Sequence, residues 1–352
     1  MLLLSGISLQ AQSDEDTLKT YGLDVFGYPF VFYTPETKLA FGLGGMLYFR
    51  TARDPDFKLS NIVISSYYTL NNQYLFNLSP EIYFSKNLGF LEGNIYYGKF
   101  VDEFYGFGSD AEEISNPDYI MKDLGANINL QKNISDDFVI GIIYDYLNST
   151  INDRKNNPFL LNNNLTGCNG GISSGIGINI VWDTKNFLYL PTSGLYYYFS
   201  STFYSKSIGG DFDFNEFIFD LRNFAEIDTN HIIATQFYGR FARGNPPFYE
   251  LPKLGGSANM RGYYEGRYRD RNYITFQIEY KTLLFWKIGG VIFGGIGDVS
   301  PGINDFQLRN IKYSYGFGLR YIFDLKERLT VRADLGFGKN TSGVYFSVHE
   351  AF

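Results

Sequence analysis

From about Phe30 onward the chain alternates apolar and polar residues with a period of two, as extended strands with two unlike faces do. In residues 175–183, Ile176, Ile178, Ile180 and Trp182 take one face, while Gly175, Gly177, Asn179 and Asp183 take the other. In residues 123–131, Leu124, Ala126, Ile128 and Leu130 oppose Gly125, Asn127, Asn129 and Gln131. In residues 271–281, Ile274, Phe276, Ile278 and Tyr280 oppose Thr275, Gln277, Glu279 and Lys281. The pattern predicts strands near 29–34, 38–50, 59–70, 73–84, 88–100, 119–131, 137–148, 170–184, 193–206, 212–226, 229–243, 271–284, 286–299, 311–324, 328–338 and 342–352. Connections after every second strand tend to be long (101–118, 149–169, 244–270, 300–310). The intervening ones are mostly short, as at 85–87 and 227–228.

Alternation alone fits either a soluble sandwich with its polar face in water or a membrane barrel with its apolar face in lipid. Two features favour the barrel. Aromatic clusters such as Tyr196-Tyr197-Tyr198-Phe199 and Tyr67-Tyr68 fit girdles at a membrane boundary, and the loop asymmetry is that of outer-membrane barrels, with short periplasmic turns and long outer loops. The expected fold is all-β: a transmembrane antiparallel β-barrel of about sixteen strands in the bacterial outer membrane, with both ends of the strand run in the periplasm.

Composition narrows the function. Aromatics at 19% and 38 glycines suit a β-protein. No apolar run approaches the roughly 18 residues that a spanning helix needs. A net charge of −7 argues against a nucleic-acid partner, which requires a cationic face. One cysteine, Cys168, excludes an internal disulfide and a multi-cysteine zinc site, and His231 and His349 are too few for a His-rich centre. Neither metal nor cofactor is expected. Residues 2–9 resemble the apolar core of a secretory signal with cleavage after Ala11, so residues 1–11 are assigned to a signal peptide. Residues 12–28 form a short periplasmic lead-in, and residues 29–352 form the barrel.

Residues 254–270, LGGSANMRGYYEGRYRD, interrupt this rhythm. Arg261, Glu265, Arg267, Arg269 and Asp270 crowd together with Tyr263, Tyr264 and Tyr268 among them. A loop this long in a compact β-protein is usually functional or disordered. Gly255, Gly256 and Gly262 suggest a turn in which backbone closely approaches something else. Strand parity turns Glu279 inward between Ile278 and Tyr280, and Arg332 and Asp334 inward between Val331, Ala333 and Leu335.

At Met260-Arg261-Gly262-Tyr263 the chain resembles the BamA/TamA superfamily of outer-membrane barrels, whose long loop after strand eleven carries a V-R-G-F/Y motif. This loop also follows the eleventh predicted strand, with Met260 in place of valine. The resemblance continues through Leu254-Gly255-Gly256, Glu279-Tyr280-Lys281 where the family often has E-x-R, Phe104-Tyr105-Gly106-Phe107-Gly108, and Val331-Arg332-Ala333-Asp334-Leu335-Gly336. It implies a loop folded into the lumen as a latch, built from Arg261, Gly262, Tyr263, Gly255 and Gly256. Arg261 would pair first with Glu279 and second with Asp334, because an unpaired arginine in a partly dry lumen costs several kcal/mol. Where the family's strand thirteen has F-x-D-x-G, this chain has Phe293-Gly294-Gly295-Ile296-Gly297, with Gly295 at the aspartate position. Phe352 ends a strand with Phe346 and Val348 on its own face, which resembles the signal read by the barrel-assembly machinery. Glu350 interrupts that face.

Family members insert or translocate proteins, and their POTRA domains receive the client; no segment of this chain reads as one. The resemblance therefore implies protein translocation or outer-membrane protein assembly, with the loop as latch and a weak first-to-last-strand seam as lateral gate. The alternative is a pore, surface antigen or structural barrel. The expected partners are outer-membrane lipid and lipopolysaccharide, the assembly machinery during biogenesis, and a periplasmic protein or further copies of the chain. No enzyme is expected: Ser347 and His349 share a strand without a G-x-S-x-G elbow or an orienting acid, and read as lumenal polar contacts. Asp102, Glu103, Asp110, Glu112 and Glu113 lack EF-hand spacing and read as solvated loop charge. His231 reads as interfacial, and Cys168 as incidental.

Overall fold

The computed structural model describes residues 24–51, 59–85, 89–154, 156–161, 164–324 and 329–352. The expected signal at residues 1–11 and most of the lead-in lie outside the described residues. Eighteen strands follow in chain order: β1 (Asp24–Thr34), β2 (Lys38–Phe49), β3 (Ser60–Thr69), β4 (Tyr74–Ser85), β5 (Gly89–Glu103), β6 (Asp118–Asn133), β7 (Phe138–Asp153), β8 (Gly170–Asp183), β9 (Gly194–Tyr204), β10 (Phe214–Asp228), β11 (His231–Gly244), β12 (Lys253–Leu254), β13 (Tyr268–Arg269), β14 (Asn272–Phe285), β15 (Ile288–Ser300), β16 (Lys312–Asp324), β17 (Leu329–Gly338) and β18 (Thr341–Val348). β12 and β13 form a small ladder within one loop, and the other sixteen close into an antiparallel barrel. Among the described residues β1 already includes Asp24, ahead of the predicted start at Pro29.

The alternation is realised inside out. On β8, Ile176, Ile178 and Trp182 are exposed, whereas Ser173 and Asn179 are buried. On β14, Phe276 and Ile278 are exposed, while Thr275, Gln277, Glu279 and Lys281 are buried. An apolar outer face with a polar interior is stable where the outside is hydrocarbon, and closure leaves no backbone edge unsatisfied there. Among the described residues no helix is long and apolar enough to cross a membrane. Asn230 and Asn340 sit at φ 65° and 56° in two of the tight turns, where asparagine tolerates the left-handed region better than most side chains.

The closure is uneven. β17 and β18 pair at eight positions from Val331–Val348 to Gly338–Thr341, whereas among the described residues β1 and β18 pair only at Tyr33 and Phe346. β18 is short because His349, at φ 67°, breaks the extended backbone. The residues after it turn into the lumen. Phe352 therefore does not share the lipid-facing side of Val344 and Phe346, which are 50% and 42% exposed. It is buried against Phe224 and Ala234, and Glu350 is lumenal too.

The long-loop end of the lumen holds the main apolar packing. Phe248, Tyr249 and Leu251 from the loop after β11 cluster with Phe104, Tyr119, Ile151 and Leu160. Further along the same loop, Leu254, Met260 and Tyr263 cluster with Tyr273 and Val299. These two clusters seat the loop inside the barrel.

Candidate functional site: the lumenal loop and its ion network

The loop between β11 and β14 descends along the inner wall, and glycine permits its closest approach. Gly262 has φ 110°, and a Cβ there would lie 2.6 Å from the Phe337 carbonyl carbon. Reciprocally, a Cβ on Gly336 would lie 2.7 Å from the Arg261 carbonyl carbon. The two backbones thus meet where neither residue can carry a side chain. Gly255 (φ 107°) and Gly256 (φ 100°) make the preceding turn, in which the Gly256 N–H donates to the Tyr263 carbonyl at 3.0 Å. The Gly262 N–H donates to the Tyr345 hydroxyl at 2.9 Å, and the Thr341 hydroxyl donates to the Gly262 carbonyl at 2.9 Å. The Tyr263 hydroxyl donates to the Tyr313 carbonyl at 3.0 Å and accepts from the Lys339 N–H at 2.9 Å. One turn is thereby tied to β16, β17 and β18.

Arg261 is 1% exposed. Its Nη2 contacts Glu279 Oε1, its Nη1 is 2.6 Å from Asp334 Oδ2, and its guanidinium lies 3.6 Å from the centre of the Phe293 ring. The structure thus brings Arg261 together with Glu279 and Asp334, the carboxylates that strand parity turns inward. The network continues beyond them. Arg320 Nη1 contacts Asp334 Oδ1, and Arg332 Nη1 is 3.3 Å from Asp334 Oδ2. Lys281 Nζ lies 3.2 Å from both Glu279 Oε2 and Glu350 Oε2, and Arg320 Nε lies 3.0 Å from Glu350 Oε1. Four cations therefore share three carboxylates, all nearly out of solvent. Buried ions are tolerated in such a setting only when paired and hydrogen-bonded.

The family's aspartate position, Gly295, is filled differently. A Cβ there would meet Gln277 Cγ at 3.1 Å and Met260 Sδ at 3.3 Å. Gln277 anchors the loop with amide chemistry, accepting from the Met260 N–H at 2.9 Å and donating to the Ala258 carbonyl at 3.1 Å. The loop thus carries a methionine against this wall.

A second anchor was not read from the sequence. Asp102, expected in a solvated loop, is a buried residue at the end of β5. It accepts from Lys253 Nζ at 2.7 Å and from the Tyr119 hydroxyl at 2.8 Å, and Arg269 Nη2 lies 3.3 Å away. Lys253 and Arg269 are register partners in the β12–β13 ladder, so one carboxylate clamps both strands of it. A third contact joins Glu250 to β8, where the Ser173 hydroxyl donates to its carboxylate at 2.8 Å. Burial, with Asp145 and Glu216 nearby, raises the Glu250 carboxyl to about 8, although Ser173 and Arg240 oppose the shift. His349 stacks on Tyr189 with ring centres 4.7 Å apart, away from any nucleophile–base arrangement with Ser347, whose hydroxyl donates to the Val348 carbonyl.

A barrel of this order with a loop seated in its lumen has a counterpart among known families. Residues 57–348 match the model of the Omp85 superfamily domain. The chain belongs to the Omp85 superfamily. As an Omp85 barrel it resides in the bacterial outer membrane. BamA from Haemophilus ducreyi lacking POTRA domains 1–3 superposes with a TM-score of 0.66 at 15% identity, covering 93% of this chain and 70% of that one. CdiB from Acinetobacter baumannii superposes with a TM-score of 0.58 at 14% identity, covering 92% of this chain and 59% of that one. At these identities the likeness speaks to the fold. A comparison with curated protein sequences gives no match.

Proposed function

We propose that this Omp85 barrel translocates polypeptides or assembles them into the outer membrane. In this reading the loop carrying Arg261, Gly262 and Tyr263 is a latch, and the β1–β18 seam is the lateral exit. The observation that carries the reading is the pairing of an over-anchored loop with an under-paired seam. The loop is tied through Arg261 to β14 and β17, and through Gly262 to β18, which is itself one side of the seam. Loss of the latch would free the wall beside the seam without disturbing the remaining strand ladders. Strand pairing is the main cohesion of a barrel wall, so the position with least pairing is where it parts. Assembly machinery, lipid and a periplasmic client-bearing protein are the partners this reading requires.

The test uses cysteines at the one seam pair found among the described residues, Tyr33→Cys with Phe346→Cys, in the full chain. Oxidation should arrest client assembly or secretion in the producing cell, and reductant should restore it. A barrel that stays locked, as judged by gel mobility, yet works at full rate would remove the seam from the mechanism.

A further inference from the structure

Among the described residues the lumenal ion network is one negative charge short. Arg261, Lys281, Arg320 and Arg332 share Glu279, Asp334 and Glu350, and none of these seven side chains is more than 5% exposed. Excess charge in such a setting is costly unless something pairs with it. At Arg320 the deficit meets open space. Its Nε is 3.0 Å from Glu350 and its Nη1 contacts Asp334, but its Nη2 is buried without a hydrogen-bond partner. Arg320 and Lys281 both border a cavity of about 170 Å³ at the short-turn end of the barrel.

Strand register builds this cavity. Ile232, Lys281 and Val291 lie side by side on β11, β14 and β15, and Leu283, Gly289 and Arg320 lie side by side on β14, β15 and β16. A side chain at Gly289 would grow against the Arg320 stem, whose Cβ is 3.4 Å from where a Gly289 Cβ would sit. Glycine therefore keeps the space beside the arginine open. Leu190 and Thr192 complete the wall, both buried although they belong to the connection between β8 and β9. A mostly apolar cavity with few charged donors is the usual form of a small-ligand site. An apolar cavity of about 150 Å³ holds benzene, so this one suits a body of about six to eight carbon atoms.

We propose that the cavity binds a medium-chain monocarboxylate. Its carboxylate accepts from Arg320 Nη2 with Lys281 alongside, and its alkyl chain packs against Ile232, Leu283, Val291 and Leu190. One such anion balances the network at four charges of each sign. A neutral alcohol of the same length would fill the space and leave the excess charge uncompensated. The site stands apart from the translocation reading, because it follows from the charge balance and the cavity alone.

Trp286 lines the cavity, and Trp182, the other tryptophan, lies on the lipid-facing side of β8. The probe is ω-bromohexanoate, whose bromine quenches indole fluorescence on contact. It is titrated at neutral pH, where the acid is ionised, against the full-length Trp182→Phe chain in nanodiscs. Trp286 should be quenched saturably, and ω-bromohexanol should give only the linear quenching of membrane partition. Arg320→Gln should weaken the saturable phase about tenfold or more, which corresponds to about 1.4 kcal/mol. Val291→Phe and Ile232→Phe, which fill the cavity without touching the ion network, should weaken it as much. Leu319→Ala, on the outer face, should leave it unchanged, and heat-modified gel mobility identifies the folded barrels. Quenching that never saturates, that is equal for acid and alcohol, or that persists in both cavity-filling variants would overturn the proposal.

Discussion

At the scale of single residues, the site is governed by the cost of burying ions and by the room available to a Cβ. Removing Arg261 leaves Glu279 and Asp334 to the remaining cations, and breaking a buried pair typically costs 3–5 kcal/mol. We expect Arg261→Ala and Glu279→Gln each to lower the unfolding temperature and expose the loop to protease. Their effects should be coupled by about 0.5–3 kcal/mol in a double-mutant cycle; strictly additive losses would show that the contact has no energetic weight. Gly262→Ala and Gly336→Ala act on the same interface without touching charge. Gly262 also pays for a positive φ, so its replacement should cost more than about 1 kcal/mol. The pair should again be less than additive, because either methyl group already separates the two backbones. Protection of loop amides in hydrogen exchange reports both effects.

At the scale of the loop and its strands, the carboxylates that seat the loop respond differently to pH. Glu250 carries a raised folded-state value of about 8, against about 4.3 in an unfolded chain. The folded state therefore holds the extra proton between these values, and stability from this contact is full below about pH 4.3 and lost as pH rises towards 8. Loop protection should fall across that window, and Glu250→Gln should flatten the dependence; a slope unchanged by the substitution would assign it elsewhere. Glu279 and Asp334 were legible in the sequence because strand parity is a local property and survives whatever the rest of the chain does. The clamp at Asp102 was not, since its cations lie far along the chain and only loop packing brings them in. Glu350 and Phe352 were misassigned for a different reason. Parity counting assumes an unbroken strand, and the single left-handed residue His349 turns both side chains into the lumen. The strand count and loop order needed no such long-range information, and the structure reproduces them.

At the scale of the whole barrel, the wall encloses a lumen into which the loop packs. The long-loop end is filled by two aromatic clusters and by the ion network beneath them, so the resting barrel should conduct ions poorly despite its sixteen barrel strands. A barrel serving as a pore would need a continuous aqueous path, and its conductance would not depend on a loop arginine. Planar-bilayer recording separates the two. We expect small, intermittent openings from the wild type and larger, longer ones from Arg261→Ala, because a loop freed from β14 and β17 leaves the centre of the lumen. The Tyr33→Cys/Phe346→Cys disulfide should leave that increase intact, since it closes the wall and not the lumen. A large wild-type conductance unaffected by Arg261→Ala would return the chain to the class of open pores. If instead the seam disulfide abolishes the openings, ions pass through the parted wall, and the loop cannot be the only barrier.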